Sequence, residues 1–322
     1  MQNIKELENK VNKYISNTKI YENDLLDNVE FIKNISIELF NLLSDFFENE
    51  YIVKPELKKT TIKDISKIIN DYFKKINYEL DFNKLISDGI INFNFNYEDE
   101  SFCGKNYYEK AQKVIDINYN GLLIDSSVLI HELSHYKNQP DYFRGITNDF
   151  LTEAIAFCDE LIFNKYLNDL GYNKDVYWIN METLNNAIYL IDESIPIFVI
   201  FELYNKIGSL NKEDYIKYVQ DNNYEYCIKT VDEQFYKNNI KLYFRMFYIL
   251  GYYLSFYLYQ RYIEDNNFYK KIKNIHQMMN TKTLDECLYY LEFDNIDNTL
   301  PYVEKFINNI SKTNKKIIKK TI

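Results

Sequence analysis

Glycine and proline are scarce in this chain, and their scarcity restricts the folds that it can adopt. Only 7 of the 322 residues are glycine, and 4 are proline. A large β-sandwich or a glycine-rich nucleotide-binding fold needs more tight turns than these residues can supply. Hydrophobic residues make up 46% of the chain, which is enough to fill a sizeable core. The sequence therefore predicts a globular and mostly helical protein.

Charge and cysteine content restrict the partners and the compartment. The chain has 38 basic and 48 acidic residues, a net charge of -10, whereas a general nucleic-acid binder shows a basic face. The first residues lack the apolar core of a secretory signal, and the 4 cysteines include no C-x-x-C pair. We therefore expect a cytoplasmic protein with reduced thiols and no nucleic-acid partner.

One apolar segment, residues 242–259, is close to the length that spans a membrane. Arg245 lies inside it, and its tyrosines crowd the middle rather than the two ends. This pattern favours a buried helix over a membrane span, so we expect no membrane association.

The hydrophobic pattern predicts helices at both ends of the chain and extended segments between them. Apolar residues recur at helical spacing over residues 1–80 and alternate with polar residues over 90–97. A loop is predicted at 101–105 and a second extended segment at 114–119. From Asp125 onwards the pattern is helical again.

Three helix ends can also be predicted. Residues 58–61 are expected to form the entry to a helix, and Asp125 or Ser126 is placed to cap the helix that follows it. The basic tail from Lys312 is expected to fray in solvent.

The motif His131-Glu132-x-x-His135 points to metal chemistry. On a helix, residues four apart lie on one face, so both imidazoles can reach the same metal ion. Glu132 points away from that face and can take a proton from a water that zinc has made more acidic. Only 3 histidines occur in the chain, and two of them stand in this motif. This spacing is typical of zinc metallopeptidases.

A third ligand has to come from another part of the chain. Glu153 lies on a second apolar helix, which an αα-hairpin would bring back beside the two histidines. Glu160 falls on the same face as Glu153 and can hydrogen-bond a ligand. His276 stands in a polar context and is predicted to be a surface residue. Two histidines, one glutamate and an open fourth position describe a catalytic zinc site rather than a structural one.

The residues around the motif resemble the zinc oligopeptidases of the oligoendopeptidase F and thimet oligopeptidase family. Residues 116–135 (DINYNGLLIDSSVLIHELSH) are similar to that family's strand, turn and active-site helix, in the same order. Residues 153–160 (EAIAFCDE) are similar to the helix that supplies its third ligand. The resemblance covers residues 100–262.

The resemblance implies a mainly α fold, a helical zincin-like bundle with a small β-sheet beside the active-site helix. Residues 89–322 would form the zinc peptidase catalytic domain, and residues 1–88 a helical N-terminal region that acts as a shortened lid. The sequence departs from the family at two places. Ser134 stands where glycine is usual, and the segment 236–240 lacks the histidine that precedes the family's cleft tyrosines.

Tyrosines on the segment around Gly251 can replace this missing donor. A tyrosine hydroxyl near the zinc can stabilise the oxyanion of the transition state, which contributes about 10²–10³ in rate. The resemblance implies Tyr248 and Tyr252 as the catalytic donors. The alternative is that both are ordinary core aromatics.

Together these features predict a zinc metalloendopeptidase that hydrolyses short peptides with one zinc ion (Zn²⁺) per chain. His131, His135 and Glu153 would hold the zinc, and Glu132 would act as general base and then pass its proton to the leaving amine. The segment 114–119 would pair with the substrate backbone as an added strand. Three alternatives stay open: a zinc-binding module that binds peptides or a protein partner without turnover, hydrolysis of non-peptide amides, and a helical scaffold with a chance motif.

Overall fold

The computed structural model describes most of the chain in separate stretches. They are residues 25–94, 104–109, 112–138, 146–207, 212–221, 233–279, 281–293 and 299–321. The predictions for residues 1–24, 95–97 and 101–103, and for Cys103 and Cys227, lie outside these stretches.

Most of the described chain is helical, and three short strands lie between the third and fourth helices. In chain order the elements are α1 (Leu25–Asn49), α2 (Ile62–Lys75), α3 (Phe82–Ser87), β1 (Ile91–Asn94), β2 (Gly104–Glu109), β3 (Gln112–Asn118), α4 (Asp125–Asn138), α5 (Ile146–Asp169), α6 (Asn173–Ile207), α7 (Lys212–Asp221), α8 (Glu233–Glu264), α9 (Phe268–Met278), α10 (Leu284–Tyr290) and α11 (Leu300–Thr321). The predicted fold class, mainly helical with a small sheet, is confirmed.

The three strands form one mixed sheet in which β3 lies in the middle. Strand β1 runs parallel to β3, with Ile91 opposite Ile115, and β2 runs antiparallel to it, with Gly104 opposite Ile117. Both edges of β3 are therefore occupied. The prediction that segment 114–119 accepts a substrate as an added strand is wrong for this reason.

Strand β2 is the element that the sequence pattern did not indicate. A loop was expected around Gly104, yet the strand begins at this residue. The segment GKNYYE is mostly polar and lacks the alternation that marks a half-buried strand. Pairing with the apolar strand β3 therefore overrides its weak local preference.

Helix α5 lies at the centre of the core, because α4, α6 and α8 all pack against it. Its side chains at Leu151, Ala154 and Phe163 are fully buried. The apolar segment 242–259 forms part of α8, where Tyr253 is also fully buried. Among the described residues, no helix is long and apolar enough to cross a membrane. The segment is helical as predicted, and its residues 249–258 are buried.

The N-terminal helices are attached to the turn that enters α4. The Thr60 amide donates to the Gly121 carbonyl, and the Leu123 amide donates to the Lys58 carbonyl, both at 2.9 Å. The Lys58 amide in turn donates to the Asp175 carboxylate at 2.7 Å. One residue further along, Thr61 and Asp64 form a capping box that starts α2, as expected. A division into 1–88 and 89–322 stays a prediction.

Asp125 does not cap α4 in the expected way. It is the first residue of that helix, and its carboxylate accepts hydrogen bonds from the amides of Asn120 and Leu122 at 2.7 and 3.1 Å. The hydroxyl of Ser126 donates back to the Leu123 carbonyl at 2.5 Å. Asp125 therefore fixes the turn that connects β3 to α4.

The C-terminal tail is ordered as helix rather than frayed. Helix α11 continues to Thr321, and Ile310, Asn314 and Ile317 are buried along one face. The side-chain amide of Asn314 donates to the Tyr51 carbonyl at 2.8 Å. The expectation of a frayed tail from Lys312 is wrong because apolar residues at helical spacing continue through this basic segment.

Replacing Asp125 by alanine should destabilise the fold, because it removes the hydrogen bonds that fix the turn between β3 and α4. We expect Asp125→Ala to lower the free energy of unfolding by about 2 kcal/mol, since hydrogen bonds to a charged acceptor are lost. The control is Asp81→Ala, which removes the N-cap of α3, where the Asp81 carboxylate accepts from the Lys84 amide at 3.1 Å, and it should cost about 1 kcal/mol. Urea unfolding followed by circular dichroism measures both. Equal values for the two variants would contradict the role assigned to Asp125.

Candidate metal centre

Helices α4 and α5 lie side by side and bring three potential ligands together. His131 and His135 project from α4, and Glu153 projects from α5; one ligand atom from each lies within 4.8 Å of the others. The two Nε2 atoms are 2.9 Å apart. Glu153 places Oε2 3.4 Å from Nε2 of His131 and Oε1 3.4 Å from Nε2 of His135. The three residues predicted as metal ligands therefore meet at one point.

Burial and charge make this cluster a favourable place for a cation. The side chains of His131, His135 and Glu153 are only 11%, 9% and 13% exposed. Burial opposes the charge of His131, but its close contacts with the carboxylates of Glu153 and Glu160 outweigh this effect and raise the pKa of the imidazole well above its usual value. Burial likewise opposes ionisation of Glu153, but His135 and His131 lower the pKa of its carboxyl well below its usual range. The buried carboxylates of Glu153 and Glu160 thus favour a positive charge at this place.

Glu160 orients the His131 ring through Nδ1, the ring nitrogen that faces away from the cluster. Its Oε1 lies 2.6 Å from Nδ1 of His131, and Ser127 donates to its Oε2 at 3.3 Å. The Ser127 hydroxyl also lies 3.1 Å from Oδ1 of Asn164, one turn along α5. A carboxylate that holds the proton on Nδ1 leaves Nε2 as the nitrogen that can bind a metal at the centre of the cluster. The hydrogen bond expected of Glu160 is therefore present, and Ser127 and Asn164 extend it.

Two buried polar atoms of the cluster have no hydrogen-bond partner among the described residues. They are Oε2 of Glu153 and Nδ1 of His135. Leaving a buried carboxylate oxygen unsatisfied costs free energy. A cation between the two imidazoles and this carboxylate would satisfy Oε2, so the residues fit a metal ion.

Glu132 lies beside the cluster rather than in it. It follows His131 directly on α4, so its side chain leaves the helix about 100° further round. It is 8% exposed. This placement agrees with a carboxylate that acts next to a metal and is not one of its ligands.

An aromatic stack covers one side of the cluster. The Phe157 ring lies 4.8 Å from the His131 ring, and Tyr252 stacks on Phe157 at 3.7 Å with an interplanar angle of 19°. Burial and the nearby carboxylates raise the pKa of Tyr252 well above its usual value. Tyr248 is one turn earlier on α8, with its ring 6.4 Å from Phe157, and is 37% exposed. Tyr252 is therefore a buried neighbour of the cluster, whereas Tyr248 reaches solvent.

His276 is not the surface residue that its polar context predicted. It is half-buried on α9, and burial together with the charges of Lys137 and His135 lowers its pKa to about 3. Its own helix has an apolar face that packs inward, with Ile272 and Ile275 buried. His276 is not one of the clustered ligands.

Gly251 lets α8 approach α5 closely beside Glu153. A Cβ built at this glycine would lie 2.9 Å from the Cβ of Glu153 and 3.2 Å from the backbone nitrogen of Ala154. The first distance is shorter than real Cβ contacts, and the second involves backbone that cannot rotate away. In the sequence, Gly251 was notable only through the family resemblance. The structure shows why a glycine is needed there: α8 crosses α5 too closely for any side chain.

The same arrangement of helices occurs in two solved structures. A protein of Bacillus anthracis str. Ames that is named as an oligoendopeptidase F superposes with a TM-score of 0.63 at 14% sequence identity, over 97% of this chain and 60% of its own. The chain has the oligoendopeptidase F fold. PZ peptidase A with an inhibitor also superposes with a TM-score of 0.63, at 12% identity, over 98% of this chain and 62% of its own.

The oligoendopeptidase F fold agrees with the resemblance carried by residues 116–135 and 153–160. This chain spans 60% and 62% of the length of the two structures that it matches. No protein-family model matches the sequence, and no curated protein does. At this level of identity the likeness establishes the fold, and the activity has to be argued from the cluster itself.

An added methyl group at Gly251 should disturb the cluster. We expect Gly251→Ala to lower the free energy of unfolding by about 1–3 kcal/mol, because the new Cβ overpacks the contact with α5. It should also shift the imidazole NMR signals of His131 and His135, which are easy to follow because the chain has only 3 histidines.

Gly171→Ala is the matched control for this variant. Gly171 has φ +95° in the turn between α5 and α6, where an added Cβ meets nothing within 4 Å. Alanine there should lower stability through backbone strain while leaving the signals of His131 and His135 in place. Unchanged imidazole signals in Gly251→Ala would contradict the role of the helix crossing.

Proposed function

We propose that this protein is a zinc-dependent metallopeptidase that hydrolyses short peptides. The observation that carries the proposal is the buried meeting of His131, His135 and Glu153, with their ligand atoms within 4.8 Å of one another. The oligoendopeptidase F fold supports a peptidase, since both matched structures are named as peptidases. The cytoplasmic location expected from the sequence stays a prediction.

Zinc fits the distances between the ligand atoms. Zinc binds histidine nitrogen and carboxylate oxygen at about 2.0–2.2 Å in tetrahedral geometry, which places neighbouring ligand atoms about 3.3 Å apart. The contacts of Glu153 Oε2 with His131 and of Glu153 Oε1 with His135 are 3.4 Å long, and the two Nε2 atoms are somewhat closer together, at 2.9 Å. Three protein ligands leave the fourth position for a water or substrate, as in catalytic sites. When bound, zinc supplies a Lewis acid that lowers the pKa of a coordinated water to about 7.

Glu132 is the general base in this proposal. Glu132 directly follows the ligand His131 on α4 and is not one of the clustered ligands, so in this proposal its carboxylate accepts the proton of the attacking water. The protonated carboxyl then delivers that proton to the nitrogen of the leaving amine. Glu160 holds the His131 ring in one orientation through this cycle by its 2.6 Å contact with Nδ1.

Tyr248 and Tyr252 serve the transition state in different ways. Tyr248 is partly exposed on the face of α8 that carries the aromatic stack, so its hydroxyl can reach a substrate. A neutral phenol is a hydrogen-bond donor to a developing oxyanion. Tyr252 keeps its proton, because burial and carboxylates hold its pKa high, and it positions Phe157 over His131.

Strand β2 replaces segment 114–119 as the proposed partner of the substrate backbone. Among the strands that the structure describes, β2 pairs with β3 alone, and its other edge has no partner strand in this part of the chain. Both β2 and β3 pack against α4, the helix that carries the histidines. An extended peptide added to this edge would run beside the cluster, and main-chain pairing favours a broad range of sequences.

Replacing Glu132 by glutamine tests the proposed reaction directly. We expect Glu132→Gln to bind one zinc per chain, as the unmodified protein does, and to lower kcat by about 10²–10⁴, because the amide cannot accept the proton. Metal content by atomic absorption and cleavage of a quenched-fluorescent peptide mixture measure the two properties.

Glu153→Gln is the control, since the same chemical change at a ligand should cost both the metal and the activity. An unmodified protein that binds zinc but cleaves no peptide would favour the alternative, a zinc-binding module without turnover. An unmodified protein that binds no zinc would refute the proposal at its first step.

Kinetic measurements should distinguish the roles of Tyr248 and Tyr252. We expect Tyr248→Phe to lower kcat by about 10²–10³ with little change in KM, because a donor to the transition state is lost. Tyr252→Phe keeps the stack on Phe157 and should lower kcat much less. Initial-rate measurements over a range of substrate concentrations decide this, and equal losses in the two variants would argue against Tyr248 as the donor.

A further inference from the structure

A third carboxylate of α5, Asp159, also contacts α4, through Ser134. Asp159 is buried, with 6% of its surface exposed. The Ser134 hydroxyl donates to its Oδ2 at 2.8 Å, and the Tyr269 hydroxyl of α9 donates to its Oδ1 at 2.9 Å. We call Ser134, Asp159 and Tyr269 the Asp159 brace. The three residues link α4, α5 and α9 through one carboxylate.

The space beside the Asp159 brace is too small for a substrate. A cavity of about 10 Å³ lies there, with Lys137, Tyr72 and the three brace residues among those lining it. A volume of that size holds about one water molecule. Burying a carboxylate is costly unless donors and charges surround it, and Lys137 supplies a nearby positive charge. The Asp159 carboxylate is buried among these donors with no room for a ligand, which indicates that it holds the helices together.

The position of the Asp159 brace along the helices explains what it holds. Ser134 directly precedes the ligand His135, and Asp159 directly precedes Glu160, which contacts His131. The contact of Ser127 with Glu160 lies seven residues earlier on α4, about 10 Å along its axis. Because these two polar contacts lie apart along α4, they fix the rotation of α4 against α5 as well as its position.

We propose that Ser134, Asp159 and Tyr269 are positioning residues for the metal centre. The Asp159 brace fixes the rotation of α4 against α5, and that rotation sets the distance from His135 to Glu153. The sequence departs here from the glycine that is usual in the resembling family, and glycine has no hydroxyl to make this contact. The inference rests on the proposed function, because the distance matters only if these residues bind a metal.

The test is the zinc affinity of two conservative variants. Ser134→Ala and Tyr269→Phe each remove one hydroxyl donor and little volume. We expect each variant to raise the Kd for Zn²⁺ by about tenfold, the lower end of the range seen when outer-shell partners of metal ligands are lost. Competition with a chromophoric chelator measures Kd at a temperature where every variant is folded, as judged by thermal unfolding.

Tyr177→Phe is the matched control. The Tyr177 hydroxyl is buried and donates to Oδ1 of Asn314 at 2.9 Å, a contact of the same length as that of Tyr269, on helices α6 and α11. This variant should lose stability and keep the zinc affinity of the unmodified protein. A purely structural role for the Asp159 brace predicts that Tyr269→Phe behaves in the same way.

The outcomes separate this inference from the proposed function. Zinc binding by the unmodified protein with an unchanged Kd in both brace variants would overturn the inference and leave the peptidase proposal intact. Absence of zinc binding in the unmodified protein would overturn the proposed function, and the inference with it. If one variant does not fold, the other still decides, since each removes a separate donor to the same carboxylate.

Discussion

The packing of α4 against α5 is the constraint on which the rest of this structure depends. Histidines on one helix and a glutamate on the other can meet only if the two axes lie at a fixed distance and rotation. Apolar contacts set the distance well but resist rotation poorly, because they are not directional. Hydrogen bonds are directional, and Glu160 and Asp159 provide them at two positions along α4. The polar residues in this core thus give orientation rather than bulk stability.

Helix α5 can hold α4 in place because α5 is apolar around most of its surface and lies inside the core. A helix of that kind has to be covered on every side, and α4, α6 and α8 cover it. At Gly251 the approach of α8 is closer than any side chain would allow. The carboxylates of α5 are therefore enclosed, and enclosure strengthens each of their interactions with the histidines.

Sequence reasoning reached the cluster because its decisive signals are local. The spacing of His131 and His135 follows from helix geometry, and Glu153 follows from a glutamate on an apolar helix after a short connection. It failed at β2, whose strand conformation depends on pairing with a distant segment. It failed also at His276, where polar neighbours in sequence conceal a helix face that packs inward. Ser134 and Asp159 were not recognised as partners, because only the helix packing makes them neighbours.

The attachment at the entry to α4 has a consequence for how the protein folds. Three distant parts of the chain meet there: residues 58–60, residues 121–123 and Asp175, the last of which contacts Lys58 across 117 positions of sequence. Loop-closure entropy opposes contacts of such separation until other structure holds their ends together. We therefore expect the contact of Lys58 with Asp175 to form late in folding, after the local hydrogen bonds of Asp125 have ordered the turn that leads into the histidine helix.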